Sequence, residues 1–258
     1  MIQANNICYH YKGCPDVLKH VSFDLEPGQF LAILGNNGVG KSTLLKCFNN
    51  ILKADSGEFL LDGKNLLTMS HRDIARSVAF VSQSVSNTQM TVHDVVMLGR
   101  RPYMKWGFTE EDHAIVHEAM DRMGLDALRG RFLNELSGGE RQKVMIARAL
   151  AQQPKVMLLD EPTSSLDIRN QYQVLQIVRE LCHKDGLTAI IVIHDLSLAL
   201  RFCDKFLLLR QGEVYRYGDH TILDSTAFRE VYGVDARVAQ LEGQHVVLVD
   251  TEEKAEWT

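Results

Sequence analysis

Gly35-Asn36-Asn37-Gly38-Val39-Gly40-Lys41-Ser42-Thr43 follows an apolar run at residues 30–34 and leads into Leu44-Leu45-Lys46. A glycine, four residues, then Gly-Lys-Ser between a strand and a helix is the spacing of a phosphate-binding loop. The glycines let the chain fold back without side chains in the way. Successive backbone N–H groups and a helix N-terminus then face a polyphosphate, while Lys41 adds a point charge. Ser42 is placed to ligand Mg²⁺. A glycine-rich turn with a solvated lysine would require neither this spacing nor both flanking elements.

Outward from this loop, the bulk sequence bounds the setting. At 258 residues, 45% hydrophobic and 24% charged, the chain has the composition of a soluble globular protein. No apolar run approaches the roughly 18 residues of a membrane span, so a membrane role would need another chain to cross. The N-terminus lacks the basic and apolar regions of a signal peptide, which points to the cytoplasm. Five scattered cysteines without CxxC spacing suggest buried thiols, neither a disulfide framework nor a zinc site. A net charge of −5 gives no general attraction to nucleic acid.

Upstream, residues 7–11 and the alternating Val21-Ser22-Phe23-Asp24-Leu25 read as strands separated by a Gly13-Cys14-Pro15 turn. Tyr11 ends the first, where its ring could stack on a purine or pack on the sheet. Downstream, residues 57–63 read as a strand ending in a hairpin turn, and Val78-Ala79-Phe80-Val81 as a buried strand ending at Ser82-Gln83. A Gln at the carboxyl end of a parallel strand sits at the mouth where ligands bind in open α/β sheets.

From residue 84 to 151 the strand signal vanishes. Thr91-Val92-His93-Asp94 and Thr109-Glu110-Glu111-Asp112 resemble helix starts, followed by helical spacing such as Ile115, Ala119 and Met123, so an all-helical insertion is expected. Residues 99–106 combine three basic residues, a proline and two aromatics, which suits either a docking surface or a solvated loop with an aromatic anchor. His113 and His117 stand four apart, yet no third metal ligand is evident, so they read as a surface pair. In Leu136-Ser137-Gly138-Gly139-Glu140-Arg141, Ser137 and Glu140 form a capping box. The cap does not require two glycines, which expose N–H groups at the helix N-terminus and make a second anion site.

Val156-Met157-Leu158-Leu159-Asp160-Glu161 reads as a buried strand ending in two carboxylates. Consecutive strand residues point to opposite sides, so the two acids can divide the work. Asp160 can hold Mg²⁺ through water and Glu161 can polarise an attacking water. Acids capping a turn are the alternative, but two charges after four apolar residues need compensation, which a metal and a polyphosphate supply. Ser164-Ser165-Leu166-Asp167 opens another helix. Residues 187–193 form a buried strand ending at His194, on the same sheet edge as Gln83, Asp160 and Glu161. Residues 206–217 read as a hairpin, 246–249 as one more strand, and the acidic stretch 250–256 as a mobile tail.

Taken together, these motifs resemble the nucleotide-binding subunit of ABC transporters over nearly the whole chain. The match runs through Walker A (35–43), the Walker B strand (156–160) and the family signature (136–140). It continues with the A-loop aromatic Tyr11, the Q-loop Gln83, the D-loop (164–167) and the switch histidine His194. Glu140 stands where the common signature carries Gln, and both satisfy the capping box. The resemblance implies an α/β fold: a P-loop NTPase (RecA-like) core with an N-terminal antiparallel β subdomain and an inserted α-helical subdomain. All lie in one domain, 1–258, with core, β subdomain and C-terminal extension in 1–83 and 152–258 and the helical signature subdomain in 84–151.

It further implies ATP and Mg²⁺ as cofactors and a head-to-tail pair of copies. Each ATP would be closed between Gly35, Asn36, Asn37, Gly38, Val39, Gly40, Lys41, Ser42 and Thr43 of one copy and Ser137, Gly138, Gly139 and Glu140 of the other. Lys41 and the loop amides would hold the phosphates, Ser42, Gln83 and Asp160 would arrange Mg²⁺, Glu161 would act as base, His194 would contact the γ-phosphate, and Tyr11 would stack on adenine. Residues 95–103 and 231–238 look like those of importer ATPases for ferric siderophores, haem and cobalamin. The expected partners are a second copy, a dimeric polytopic permease and, indirectly, an extracytoplasmic substrate-binding protein, without nucleic acid, at the cytoplasmic face of the membrane. A soluble ABC ATPase switch in cofactor assembly is the alternative.

Overall fold

Alternating and continuously apolar strands separate into different sheets in the computed structural model, which describes residues 1–82 and 88–250. Gln83 and the tail beyond Asp250 lie outside the described residues. The chain opens with β1 (Ile2–His10), β2 (Asp16–Leu25), β3 (Phe30–Leu34) and α1 (Lys41–Phe48), then β4 (Ser56–Leu61), β5 (Lys64–Asn65), α2 (His71–Ser77) and β6 (Val78–Val81). Three helices follow, α3 (Val92–Met97), α4 (Glu110–Arg122) and α5 (Gly138–Ala151). The rest comprises β7 (Val156–Asp160), α6 (Ile168–Asp185), β8 (Thr188–Val192), α7 (Leu196–Phe202), β9 (Lys205–Arg210), β10 (Glu213–Gly218), β11 (Ala236–Leu241) and β12 (Gln244–Val249).

The apolar strands form a six-stranded sheet in the order β10-β9-β3-β8-β7-β6, parallel except for β10. Every residue of β3, β7 and β8 is buried, as befits parallel strands covered on both faces. Leu31 and Ile33 face a core shared with α1 and the antiparallel sheet β2-β1-β4-β5, where Phe48 packs on Phe59. Ala32 and Leu34 face the other way, into a core closed by α3 to α7. The carboxyl ends of β3, β7 and β8 therefore lie side by side, fixed from both faces. Burial of this extent stabilises by about 25 cal/mol per Å² of apolar area removed from water.

β1 starts at Ile2, earlier than its sequence suggests, because the chain changes register inside the strand. Ile2 and Ala4 are buried, Asn6 takes φ 51°, and burial resumes at Ile7 and Tyr9, so the period breaks midway. β11, which pairs with β12, is not evident in the sequence either.

The stretch 99–106 divides into two parts. Arg100 is buried, with Nε on Asp112 Oδ1 at 2.8 Å, Nη1 on the Ala151 carbonyl at 2.9 Å, and its guanidinium 4.0 Å above the Tyr103 ring. Tyr103 donates to the Gln152 carbonyl at 3.0 Å. These are anchors of the insertion. Trp106 beyond them is fully exposed. His113 stacks on His93, whereas His117 turns to Asp121 at 3.2 Å, so the two histidines do not meet. His117, Asp121 and Asp126 do converge, with ligand atoms within 4.8 Å of one another, all on exposed residues. Among the described residues no helix is long and apolar enough to cross a membrane.

Candidate functional site

β3 ends at Leu34 and the chain doubles back through Gly35. Its φ of 138°, and the 2.4 Å that would separate an added Cβ from the Leu209 carbonyl oxygen, admit only glycine. Gly40 stands at the N-cap of α1 and offers no side-chain acceptor, so the leading N–H groups of that helix are left for an anion. Lys41 is buried behind the loop, its Nζ donating to the carbonyls of Gly35 at 2.7 Å and Asn36 at 2.8 Å. Burial lowers its pKa, opposed by the nearby carboxylates of Glu161 and Asp160.

Ser42 follows on α1 and donates from Oγ to Asp160 Oδ1 at 2.6 Å. Asp160 is buried at the end of β7, so the two oxygens meet across adjacent elements. Glu161 adopts a left-handed φ of 48° while its N–H donates to the Val192 carbonyl at 3.1 Å. Its Oε1 lies 2.7 Å from His194 Nε2. His194 is held between β8 and α7, whose N-cap Asp195 accepts from the N–H groups of Ser197 at 2.8 Å and Leu198 at 2.9 Å.

A cleft of about 470 Å³ opens here, bounded by Tyr11, Val17, Asn37, Gly38, Gly40, Lys41, Ser42, Thr43, Glu161 and His194, with Asp160 behind Ser42 and outside the lining. Tyr11 shares a hydrogen bond of 3.1 Å with Thr43 Oγ1 and sits edge-on to Tyr9 at 5.0 Å, yet the residue keeps 40% exposure. The ring is both packed and available. Val17 was not foreseen, since a strand valine carries no sequence signal of ligand contact.

Residues 18–164, more than half of the chain, match the sequence profile of the ABC transporter family. The chain belongs to the ABC transporter family. It is 40% identical to an uncharacterized ABC transporter ATP-binding protein of Methanocaldococcus jannaschii, over 96% of this chain and 97% of that one. It is 35% identical to a phosphonates import ATP-binding protein of Alcaligenes faecalis, with 91% and 89% covered. Against an achromobactin transport ATP-binding protein of Dickeya dadantii the identity is 38%, with 86% and 84% covered. In structure it resembles a chain from a transporter of metal-chelate type in an inward-facing conformation, with TM-score 0.83, 29% identity and 96% of each chain covered. It also resembles a dimeric ATP-binding cassette in a post-hydrolysis state bound to ADP and Pi, with TM-score 0.75, 29% identity and 85% and 98% covered. The protein is an ABC ATPase.

In this ABC chain the second glycine pair stands apart from the phosphate loop. Ser137 caps α5, its hydroxyl accepting from the Glu140 N–H at 3.3 Å, and Glu140 Oε2 accepts from the Ser137 N–H at 2.8 Å and hydroxyl at 2.7 Å. The Ser137 hydroxyl holds the Glu140 carboxyl below its ordinary pKa. Gly139 lies against α6, where an added Cβ would stand 2.3 Å from Asn170 Oδ1. Among the described residues, none of Ser137, Gly138, Gly139 and Glu140 lines the phosphate-loop cleft.

Proposed function

We propose that this ABC ATPase energises a separate membrane permease for import, by ATP-driven closure of a head-to-tail dimer. The observation that carries this reading is the convergence of Ser42, bonded to Asp160 behind it, and the Glu161–His194 pair on one cleft with Lys41, with the signature residues outside it. A second copy of the chain supplies Ser137, Gly138, Gly139 and Glu140 to the open side. The signature subdomain, 84–151, then carries those residues while 1–83 and 152–258 carry the phosphate loop.

The N–H groups of residues 35–43 and the Lys41 ammonium bind the β- and γ-phosphates, Lys41 exchanging its two loop carbonyls for phosphate oxygens. Tyr11 stacks its exposed face on adenine. Ser42 Oγ and Asp160 Oδ1 are hard oxygen donors already in contact, a set that fits Mg²⁺, with Gln83 as a further donor. Mg²⁺, when bound, supplies charge neutralisation at the phosphates. Glu161 takes the proton of the attacking water, and His194, 2.7 Å away, orients that carboxylate and meets the γ-phosphate.

The cargo is an iron-siderophore, haem or cobalamin compound. Support comes from the achromobactin transport relative, from the structural likeness to a metal-chelate type transporter, and from residues 95–103 and 231–238. Cargo choice rests with the permease and an extracytoplasmic binding protein, and the ATPase works at the cytoplasmic face of the membrane. Affinity purification of the tagged chain from detergent-solubilised host membranes tests this. A polytopic permease recovered at equal stoichiometry is expected. Recovery of soluble partners alone would replace import with an ATP switch in cofactor assembly.

A further inference from the structure

Two hydroxyl groups tie the aromatic end of the cleft to its phosphate end. Tyr9 lies in β1 and Tyr11 just past its end, and residues two apart on an extended chain point to the same side. Both therefore turn towards α1. Tyr9 is buried in the core that includes Leu44, Cys47 and Phe48 of that helix. The Tyr11 ring stands perpendicular to that of Tyr9, with centroids 5.0 Å apart, and its hydroxyl meets Thr43 Oγ1 at 3.1 Å. Behind the ring the backbone closes in a turn, where the Cys14 N–H donates to the Tyr11 carbonyl at 2.8 Å. Tyr11 is thus held at three points while it remains exposed to the cleft.

Thr43 belongs to the phosphate end. It is buried in the first turn of α1, directly after Lys41, which reaches the Gly35 and Asn36 carbonyls, and Ser42, which reaches Asp160. Burial and a β-branched side chain restrict where its hydroxyl can stand. One helical turn therefore carries the cation, the Ser42 oxygen and the anchor of the aromatic ring.

We propose that Thr43 is a positioning residue for the base of the nucleotide: its hydroxyl holds the Tyr11 ring to α1, so the stacking surface is set in register with the phosphate loop before ATP arrives. This rests on the reading of Tyr11 as the adenine-stacking residue and of residues 35–43 as the triphosphate site. An exposed aromatic ring gives up rotamer freedom when a base stacks on it, and that loss is charged against binding. The bond to Thr43 removes the freedom in the folded chain beforehand. ATP gains affinity from this, whereas inorganic tripolyphosphate, which has no base, gains none.

The test reads the ratio of the Kd for inorganic tripolyphosphate to the Kd for ATP, by calorimetric titration of the full chain without Mg²⁺, so that neither ligand is turned over. Thr43→Val keeps nearly the same shape and removes the hydroxyl. It should weaken ATP about two- to ten-fold, the scale of one hydrogen bond, and leave tripolyphosphate unchanged. Thr43→Ser should restore the wild-type ratio. Tyr11→Phe should lower the ratio as Thr43→Val does, and the double variant should be no worse than the poorer single one, because each removes the same bond. Tyr11→Ala, which removes the ring, should lower it further. An unchanged ratio in Thr43→Val, or equal weakening of both ligands, overturns the inference, the second by assigning the hydroxyl to the phosphates. So do multiplying effects in the double variant. In each of these cases a lowered ratio in Tyr11→Ala leaves the adenine reading standing. An unchanged ratio in Tyr11→Ala sinks the adenine reading itself, and the role of Thr43 with it.

Discussion

Glu161 combines an ionisable side chain with a left-handed backbone, φ 48°, that costs an L residue about 1–2 kcal/mol. From this backbone its carboxylate meets His194 Nε2 at 2.7 Å. Glu161→Gln should keep ATP binding and lower turnover by about 10²–10⁴, leaving an ATP-stabilised dimer in gel filtration. Turnover at the wild-type rate would remove Glu161 from the role of base. Glu161→Gly should be equally inactive yet at least as stable to heat, because glycine relieves the strain. Gly35→Ala places a Cβ on the Leu209 carbonyl, so both the melting temperature and nucleotide binding should fall. The loop and the paired acids were legible because their geometry is local. Val17 was not, since it reaches the cleft from β2 and nothing in its own neighbourhood marks the contact.

At the scale of elements, the helical insertion depends on one buried ion pair. The start of α4 was readable from Thr109 and Asp112, and the structure has that capping box. Its partner Arg100 was hidden in a stretch that read as either a docking surface or a solvated loop with an aromatic anchor. Asp112→Ala would leave a buried guanidinium without its carboxylate, with an expected loss of about 3–5 kcal/mol in urea unfolding. Burial raises the Asp112 pKa, but the Thr109 N–H, Arg100 and the Thr109 hydroxyl outweigh it, and the carboxyl sits below its ordinary value. The folded-state pKa is depressed, so this stabilisation is full above the unfolded value, about 3.9, and is lost as pH falls through the lower folded one. Asp112→Asn lacks this contribution at every pH, so its stability should fall short of wild type by a constant offset above about pH 4, and the gap should narrow as pH falls below it. β1 and β11 were harder to read, because the register change at Asn6 breaks the alternation and β11 mixes Arg237 and Gln240 with small apolar residues.

Across the whole molecule, the exposed Trp106 and its neighbour Lys105 border a pocket shared with Arg100 and Tyr103, and neither lines the phosphate-loop cleft. Trp106→Ala should leave the basal ATPase rate of the isolated chain unchanged and reduce recovery of the permease in membrane pull-downs. The class of fold followed from the motifs and the family they resemble, but the order β10-β9-β3-β8-β7-β6 could not be read, because periodicity says which face is buried and nothing about which strand lies alongside. That order bears on how the protein is made. β3, finished by residue 34, finds its two neighbours only in β8 and β9, which end at residues 192 and 210. During synthesis its apolar edges wait for most of the chain to emerge, and at about 5–20 residues per second that interval lasts many seconds. Nascent chains stalled before residue 188 should therefore be the aggregation-prone species, and chaperone demand in the cell should peak before the ATPase can hold its first nucleotide.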